Sequence, residues 1–212
     1  MSIPNTHIRA VLDGYLERFP KEVDAAGPLL RALDGEHELS SPKEFRVGHV
    51  TAGAVVLDPC WRVLMVRQGD RGPWLLPGGH LTTEDGALSE ASLSRLTEAT
   101  GLVPDQVEPA ADPLPLDLDT YRIPEDPDRG EPEHEHFTFL YLYRATAATV
   151  PTGDGVGGVL AWRPHTDVPS ARLAAKIFQT LATSRAAIAS REPGTANEIS
   201  ATAEVHGEVT GV

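Results

Sequence analysis

A glycine pair at residues 78–79 separates a segment with the pattern of a β-hairpin from a segment with the pattern of a helix. The apolar run 50–57 and the return segment 62–68, joined by a short turn, predict two antiparallel strands. After the glycine pair, apolar residues recur at helical spacing from about residue 85 to residue 100, where Gly101 ends the pattern. A chain of this order must pack helices against a sheet, which restricts the fold to the α/β and α+β classes.

The rest of the chain continues both kinds of pattern. Three further strand patterns lie at 116–123, 137–143 and 157–163, and a helix pattern follows at 172–189. Two shorter helical patterns precede the hairpin. We therefore predict a mixed β-sheet sandwiched between helices, of the α/β (α+β) class. The predicted domains are an N-terminal helical extension at 1–45, a main domain at 46–190 and a disordered tail at 191–212.

The charge of the chain restricts its partners. With 212 residues and a formal net charge of −13, the protein is repelled by nucleic-acid backbones and by anionic membranes. No apolar run approaches the roughly 20 residues that cross a bilayer, and Cys60, the single cysteine, cannot form an intramolecular disulfide. These features predict a cytoplasmic protein with a small-molecule ligand and no nucleic-acid or membrane partner. A homodimer through the N-terminal helices is an open alternative to a monomer.

The segment 74–80, WLLPGGH, and the helix end 96–102, LTEATGL, resemble the Nudix hydrolases. The motif of that family, the Nudix box, has a glycine pair, a loop, and a helix reading Arg-Glu-aliphatic-any-Glu-Glu-any-Gly-aliphatic. The resemblance covers roughly residues 47–189 and includes the preceding hairpin and the later pair Ala161-Trp162. It implies a Nudix fold and an enzyme that cleaves a diphosphate linked to another group, with Mg²⁺ or Mn²⁺ as cofactor.

The resemblance also implies which residues would hold that metal. The family's helix carries three glutamates at positions i, i+3 and i+4, which share one face and bind cations against the substrate phosphates. In this chain those positions hold Arg95, Glu98 and Ala99, while Ser94 replaces the family's arginine and Asp85 matches the acidic loop position. An arginine stays protonated and cannot ligate a cation. The box is therefore degenerate, and Glu98 and Asp85 remain as its candidate ligands for Mg²⁺ or Mn²⁺.

A second group of reactive side chains lies at residues 131–136, just before an aromatic strand pattern. His134 and His136 are two residues apart, so on a strand their imidazoles point to the same face. Two imidazoles and a carboxylate such as Glu131 can bind a transition metal. The alternative is that one histidine hydrogen-bonds a ligand while the other lies at the surface. Further candidate ligands of such a metal are His80, Asp117 and Asp119.

Residues around the glycine pair are candidates for binding the ligand itself. Arg95 either clasps a phosphate or forms a salt bridge with Glu98 or Glu90. Trp74 either stacks on a ring of the ligand or packs in the core. Arg67 faces either the ligand or solvent at the end of its strand. The predicted ligand-binding residues are Arg67, Trp74, Gly78, Gly79, His80 and Arg95.

Three functions fit these residues. One is a Nudix-fold enzyme that acts on a phosphorylated or otherwise anionic small molecule or biosynthetic intermediate through a non-standard site. Its acid, base or ligand groups would be Glu98, Glu131, His134 and His136. The second is an ordinary Mg²⁺- or Mn²⁺-dependent hydrolase of nucleoside-diphosphate-linked substrates, and the third is a ligand-binding domain without catalysis. The sequence favours the first and does not identify the substrate.

Overall fold

The computed structural model describes residues 2–67, 69, 71–146, 154–155 and 158–189. Its helices are α1 (Asn5–Arg18), α2 (Gly27–Leu33), α3 (Leu88–Thr100) and α4 (Ala171–Ala189). Its strands are β1 (His49–Leu57), β2 (Val63–Arg67), β3 (Trp74–Leu75), β4 (Gly78–His80), β5 (Val107–Pro109), β6 (Asp117–Ile123), β7 (His134–Ala145), β8 (Asp154–Gly155) and β9 (Gly158–Arg163). The predicted disordered tail at 191–212 lies outside the described residues. Within the described part of the chain, no helix combines the length and the apolar character needed to cross a bilayer.

Strand β1 is the centre of one mixed sheet. It pairs in parallel with β7 along its whole length, from His49 opposite His136 to Leu57 opposite Arg144. On its other edge it pairs antiparallel with β4, and it pairs with β2 only beside their turn, at Leu57 opposite Val63. The order through the described sheet is β5-β7-β1-β2-β9-β8, with β6 beside β7, β3 beside β2 and β4 beside β1. The predicted hairpin is therefore present, although its strands diverge after the turn.

Both faces of the sheet are covered, which explains why β1 is buried along all of its residues. Ala52, Ala54 and Val56 face a core that also contains apolar residues of α1, α2 and α3. Val55 and Leu57 point to the opposite face, where they pack with apolar residues of α4. Because strand side chains alternate between faces, one continuous apolar run serves both cores. The predicted mixed sheet between helices, with N-terminal helices packed on it, is confirmed.

A buried group of charged and polar side chains ties the N-terminal helices to the sheet edge and to α4. Asp117 on β6 has no exposed surface and accepts hydrogen bonds from Lys176 at 2.8 Å, Arg172 at 3.0 Å and the Tyr15 hydroxyl at 3.1 Å. Lys176 also pairs with Glu22 at 2.7 Å. The sequence analysis names Asp117 as a candidate metal ligand, but its carboxylate is hydrogen-bonded to side chains of α1 and α4.

Candidate functional site

Three strands bring three histidines together at one end of the sheet. The parallel register places His49 of β1 beside His136 of β7, and His80 ends β4 on the other edge of β1. The ring centroids are 4.5 Å apart for His49 and His136, 5.0 Å for His49 and His80, and 5.1 Å for His80 and His136. One ring nitrogen of each lies within 4.8 Å of the others. We call His49, His80, His134 and His136 the histidine cluster.

The fourth member, His134, contacts His136 through ring nitrogens. The two Nε2 atoms are 3.1 Å apart, and the His134 Nδ1 lies 2.8 Å from the carbonyl oxygen of Pro132. A carbonyl oxygen only accepts, so in the neutral imidazole of His134 the proton is on Nδ1 and Nε2 carries a lone pair. The short contact then requires the proton of a neutral His136 to be on Nε2, donated to His134. This leaves the Nδ1 of His136 as that ring's lone-pair nitrogen.

His49 is held in a similar way. Its Nδ1 donates to the carbonyl oxygen of Glu44 at 3.3 Å, which leaves the lone pair on Nε2. That Nε2 is buried and has no hydrogen-bond partner among the described residues. The preceding Gly48 has φ of 92°, and a methyl group there would stand 2.2 Å from the Glu135 carbonyl oxygen. Only glycine lets the two strands approach this closely next to the histidines.

Sequence reasoning did not find His49. It lies 87 residues from its neighbour His136, and only the parallel pairing of β1 with β7 brings the two together. The sequence signal was a single polar residue immediately before the apolar run of β1, and such residues are common at strand ends. The predicted pair His134 and His136, and the predicted approach of His80, are both present in the structure.

The surroundings favour the neutral form of the three imidazoles of His49, His80 and His136 by lowering their pKa values. Burial, opposed only partly by the Glu44 carbonyl, lowers the pKa of His49 to about 4. Burial and the neighbouring imidazoles lower the pKa of His136 to about 3. Burial also lowers the pKa of His80, while the carboxylate of Glu131 acts in the opposite direction. Neutral imidazole is the form that offers a lone pair to a metal or accepts a proton from a ligand.

The histidine cluster opens into a pocket of about 480 Å³. Its floor is the β1–β7 ladder, where the hydroxyls of Thr51 and Thr138 share a hydrogen bond of 2.6 Å. Asp119 and Tyr121 of β6 line one side, and the β4 backbone lines the other. His80 and His136 belong to the lining, and the Tyr121 ring lies 5.5 Å from that of His136. A ligand in this pocket therefore contacts the imidazoles directly.

The predicted glycines 78–79 form part of the pocket lining for a steric reason. A methyl group at Gly78 would stand 3.0 Å from both the Ala52 carbonyl oxygen and the Gly53 Cα. A methyl group at Gly79 would stand 3.1 Å from the Cδ of Arg95. Because neither glycine has a side chain, β4 lies directly against β1 at Gly78 and against Arg95 at Gly79.

The box residues on α3 make a separate arrangement around Arg95. This arginine is 8% exposed and donates to the His80 carbonyl oxygen at 2.7 Å and to Glu98 at 2.7 Å. Its guanidinium is 3.9 Å from Asp85, whose Oδ2 already accepts hydrogen bonds from the backbone and hydroxyl of Thr82. The salt bridge with Glu98, one of the two predicted alternatives for Arg95, is present.

These contacts do not fit the magnesium or manganese ion that the resemblance implies. A hard divalent cation takes several oxygen ligands. The box offers Asp85, whose carboxylate is enclosed in its own turn, and Glu98, whose side chain is 63% exposed and paired with Arg95. The guanidinium between the two carboxylates would repel a cation.

The other predicted ligand-binding residues lie outside the pocket lining. Trp74 packs at the edge of the α4 core, between the guanidinium groups of Arg67 at 4.8 Å and Arg163 at 5.1 Å from its ring centroid. Glu131 is half-buried in the loop before β7, where its charge acts on His80.

A family model identifies the family of this chain. The model of the NUDIX domain matches residues 47–183. No curated protein matches the sequence. Among solved structures, an Ap4A hydrolase of C. elegans in a binary complex is 12% identical with a TM-score of 0.48, covering 65% of this chain and 98% of its own. The Nudix hydrolase RenU of M. smegmatis is 19% identical with a TM-score of 0.39, covering 66% and 87%. NrtR of Shewanella oneidensis, complexed with a 27mer DNA, is 22% identical with a TM-score of 0.39, covering 63% and 62%.

Proposed function

This chain belongs to the Nudix family, and we propose that it is an enzyme whose reaction centre is the histidine cluster rather than the box on α3. The observation that carries the proposal is that His80 and His136 line a pocket of about 480 Å³. Pockets for small molecules have volumes of roughly 300–1,000 Å³, and they combine apolar walls with a few convergent polar groups. A ligand bound here would meet imidazoles, a tyrosine hydroxyl and two threonine hydroxyls.

The proposed substrate is a small phosphorylated or otherwise anionic molecule. Three arginines, Arg31, Arg46 and Arg122, line a neighbouring cavity of about 370 Å³ that also includes His134. Arg122 is paired there with Glu133 at 3.3 Å. Arginine recognises carboxylates and phosphates through its fork of donors. Glu133 and Glu135 also line this cavity, so the three arginines outnumber its carboxylates by one. In a chain of net charge −13, this local excess of positive charge supports a small anionic ligand.

The proposed catalytic groups are His136, which lines the pocket, and His134, which contacts His136 through Nε2, while the charge of Glu131 acts on His80. The two linked rings can hold or accept a proton next to a bound ligand, and a transition metal bound within the histidine cluster would polarise that ligand. Glu98 is outside this proposed machinery, because its carboxylate is exposed and bound to Arg95. The cytoplasmic location and the homodimer stay predictions.

A substrate panel tests the proposal. The full chain is incubated with ADP-ribose, nucleotide sugars, dinucleoside polyphosphates, nucleoside triphosphates, prenyl diphosphates and sugar phosphates, each with Zn²⁺, Mg²⁺, Mn²⁺ or EDTA, and read by phosphorus NMR. We expect turnover that falls by about 100-fold or more in His136→Gln and that is unchanged in Glu98→Gln and in the control His165→Gln. Mg²⁺-dependent cleavage lost in Glu98→Gln would establish the ordinary hydrolase instead. Saturable binding of a panel member without turnover would establish a binding domain.

A further inference from the structure

We infer that His49, His80 and His136 together bind one transition-metal ion, with zinc as the best match, and that a fourth coordination position faces the pocket. This inference rests on the proposed function for the role of the ion. Its ligand set differs from the pair His134 and His136 that the sequence suggests, because it adds His49 and His80 and makes His134 a positioning residue.

Geometry supports these three ligands. Their nearest ring nitrogens lie within 4.8 Å of one another. Zinc binds imidazole nitrogen at about 2.0–2.1 Å in a tetrahedral arrangement, which separates two ligand nitrogens by about 3.3 Å. Small rotations of the rings therefore close the site. His80 has the exposed ring of the three, and it ends a short strand, so it can make the largest adjustment.

The proton positions on the rings support the same ligands. His49 donates its Nδ1 proton to the Glu44 carbonyl and presents Nε2, which is buried without a partner. A buried acceptor without a partner costs free energy, and a metal ion would supply that partner. His136 donates Nε2–H to His134 and keeps a lone pair on Nδ1, while His134 donates to the Pro132 carbonyl. Metal-binding histidines characteristically donate their second ring proton to a carbonyl, a carboxylate or another acceptor, which fixes the tautomer.

The chemistry of the donors selects the kind of ion. Imidazole nitrogens suit Zn²⁺ and its transition-metal neighbours, whereas Mg²⁺ and Ca²⁺ prefer oxygen. Three protein ligands and one open position are the pattern of catalytic rather than structural zinc sites. Two of the three ligands, His80 and His136, belong to the pocket lining, so the remaining position is accessible to a small molecule. An ion there would also supply the positive charge that an anionic ligand needs beside Asp119.

Contacts of the backbone around the histidine cluster hold the histidines close together. Gly48 allows β1 to approach β7 at His49, and the Arg95 guanidinium fixes the β4 carbonyl of His80. Phe45 packs its ring 4.9 Å from that of His134 and 6.2 Å from that of His49. The segment that leads into β1 therefore packs against the rings of His49 and His134.

Metal binding is tested without any substrate, so it can fail independently of the proposed function. The full chain is stripped with EDTA, and Zn²⁺ is titrated against a chromophoric chelator. We expect one equivalent to bind. Its affinity should fall by more than about 100-fold in His49→Gln, His80→Gln and His136→Gln, and by roughly 10–100-fold in His134→Gln, the range typical of residues that orient a ligand. His165→Gln is the matched control, since His165 lies outside the cluster.

Cobalt(II) substitution gives a second readout. We expect the strong visible absorption of a four-coordinate site, shifted by His134→Gln and abolished by loss of a ligand. Circular dichroism of each metal-free variant checks folding, and His80→Gln decides the case if the buried variants do not fold, because His80 is exposed. The inference is overturned if wild-type protein binds no more zinc than His80→Gln, or if His49→Gln binds as tightly as wild type. Zinc bound at these residues without turnover of any substrate would contradict the proposed function alone.

Discussion

Arg95 is a buried cation on α3 whose contacts reach β4. It stands where the Nudix box has its first helix glutamate, yet its guanidinium is buried against the His80 carbonyl and Glu98. A buried cation needs partners that offset its lost hydration, and here a carbonyl and two carboxylates supply them. The residue therefore joins α3 to β4 electrostatically, at the position where related proteins are expected to hold a cation. It holds His80 in place without touching the pocket.

Replacing Arg95 with alanine tests this structural role. The change leaves the His80 carbonyl without its donor and opens space beside Gly79, so we expect a loss of about 1–3 kcal/mol in the free energy of unfolding. Glu98→Gln removes only an exposed ion pair, for which a loss of less than about 1 kcal/mol is expected. Urea denaturation of the metal-free proteins measures both. Equal stability of Arg95→Ala and wild type would contradict the account of Arg95.

At the scale of helices and strands, local sequence patterns predicted the helices and strands, whereas the position of the candidate site depends on pairing between strands that are far apart in sequence. The apolar run of β1, the glycine pair and the helical spacing of α3 were readable because each depends on neighbours in sequence. The parallel β1–β7 register was not readable, because nothing local specifies which strand lies beside another. That register is what adds His49 to the predicted histidines.

The buried polar group around Asp117, which joins α1, β6 and α4, also depends on contacts between residues that are far apart in sequence. Asp117 and Asp119 are two residues apart on β6, and no sequence pattern distinguishes one from the other. In the structure Asp117 is fully buried against Lys176, whereas Asp119 lines the pocket. Burial of the first carboxylate is favourable only because the N-terminal and C-terminal helices bring donors to it.

Lys176→Met tests this tie. Removing the lysine leaves Asp117 and Glu22 with one fewer cation in a buried setting, so we expect the free energy of unfolding to fall by roughly 3 kcal/mol. The double variant Asp117→Asn with Lys176→Met should be closer to wild type than the sum of the single changes, since the uncompensated charge is gone. Thermal and urea unfolding of the four proteins in this cycle measure the coupling. Strictly additive effects would show that the pair is not coupled.

In the whole molecule, the proposed reaction centre is the histidine cluster, and the proposed role of Arg95 and Glu98 is to join α3 to β4. The family and the mixed sheet were predictable, because the glycine pair and the flanking patterns belong to one contiguous segment. The site was predictable only in part, since His80, His134 and His136 were recognisable as reactive residues but their common partner was not. The proposed anionic ligand needs a concentrated positive charge in a chain of net charge −13, and the proposed metal ion at the histidine cluster would supply it.

Anomalous diffraction from crystals of the full chain, grown once with Zn²⁺ and once with Mn²⁺, tests this placement most directly. Data at the zinc edge should show one strong peak between His49, His80 and His136, and data from the manganese crystals should show none beside Glu98 and Asp85. A manganese peak at Glu98 and Asp85 with no zinc peak among the histidines would contradict the account, because it would return the metal to the Nudix box.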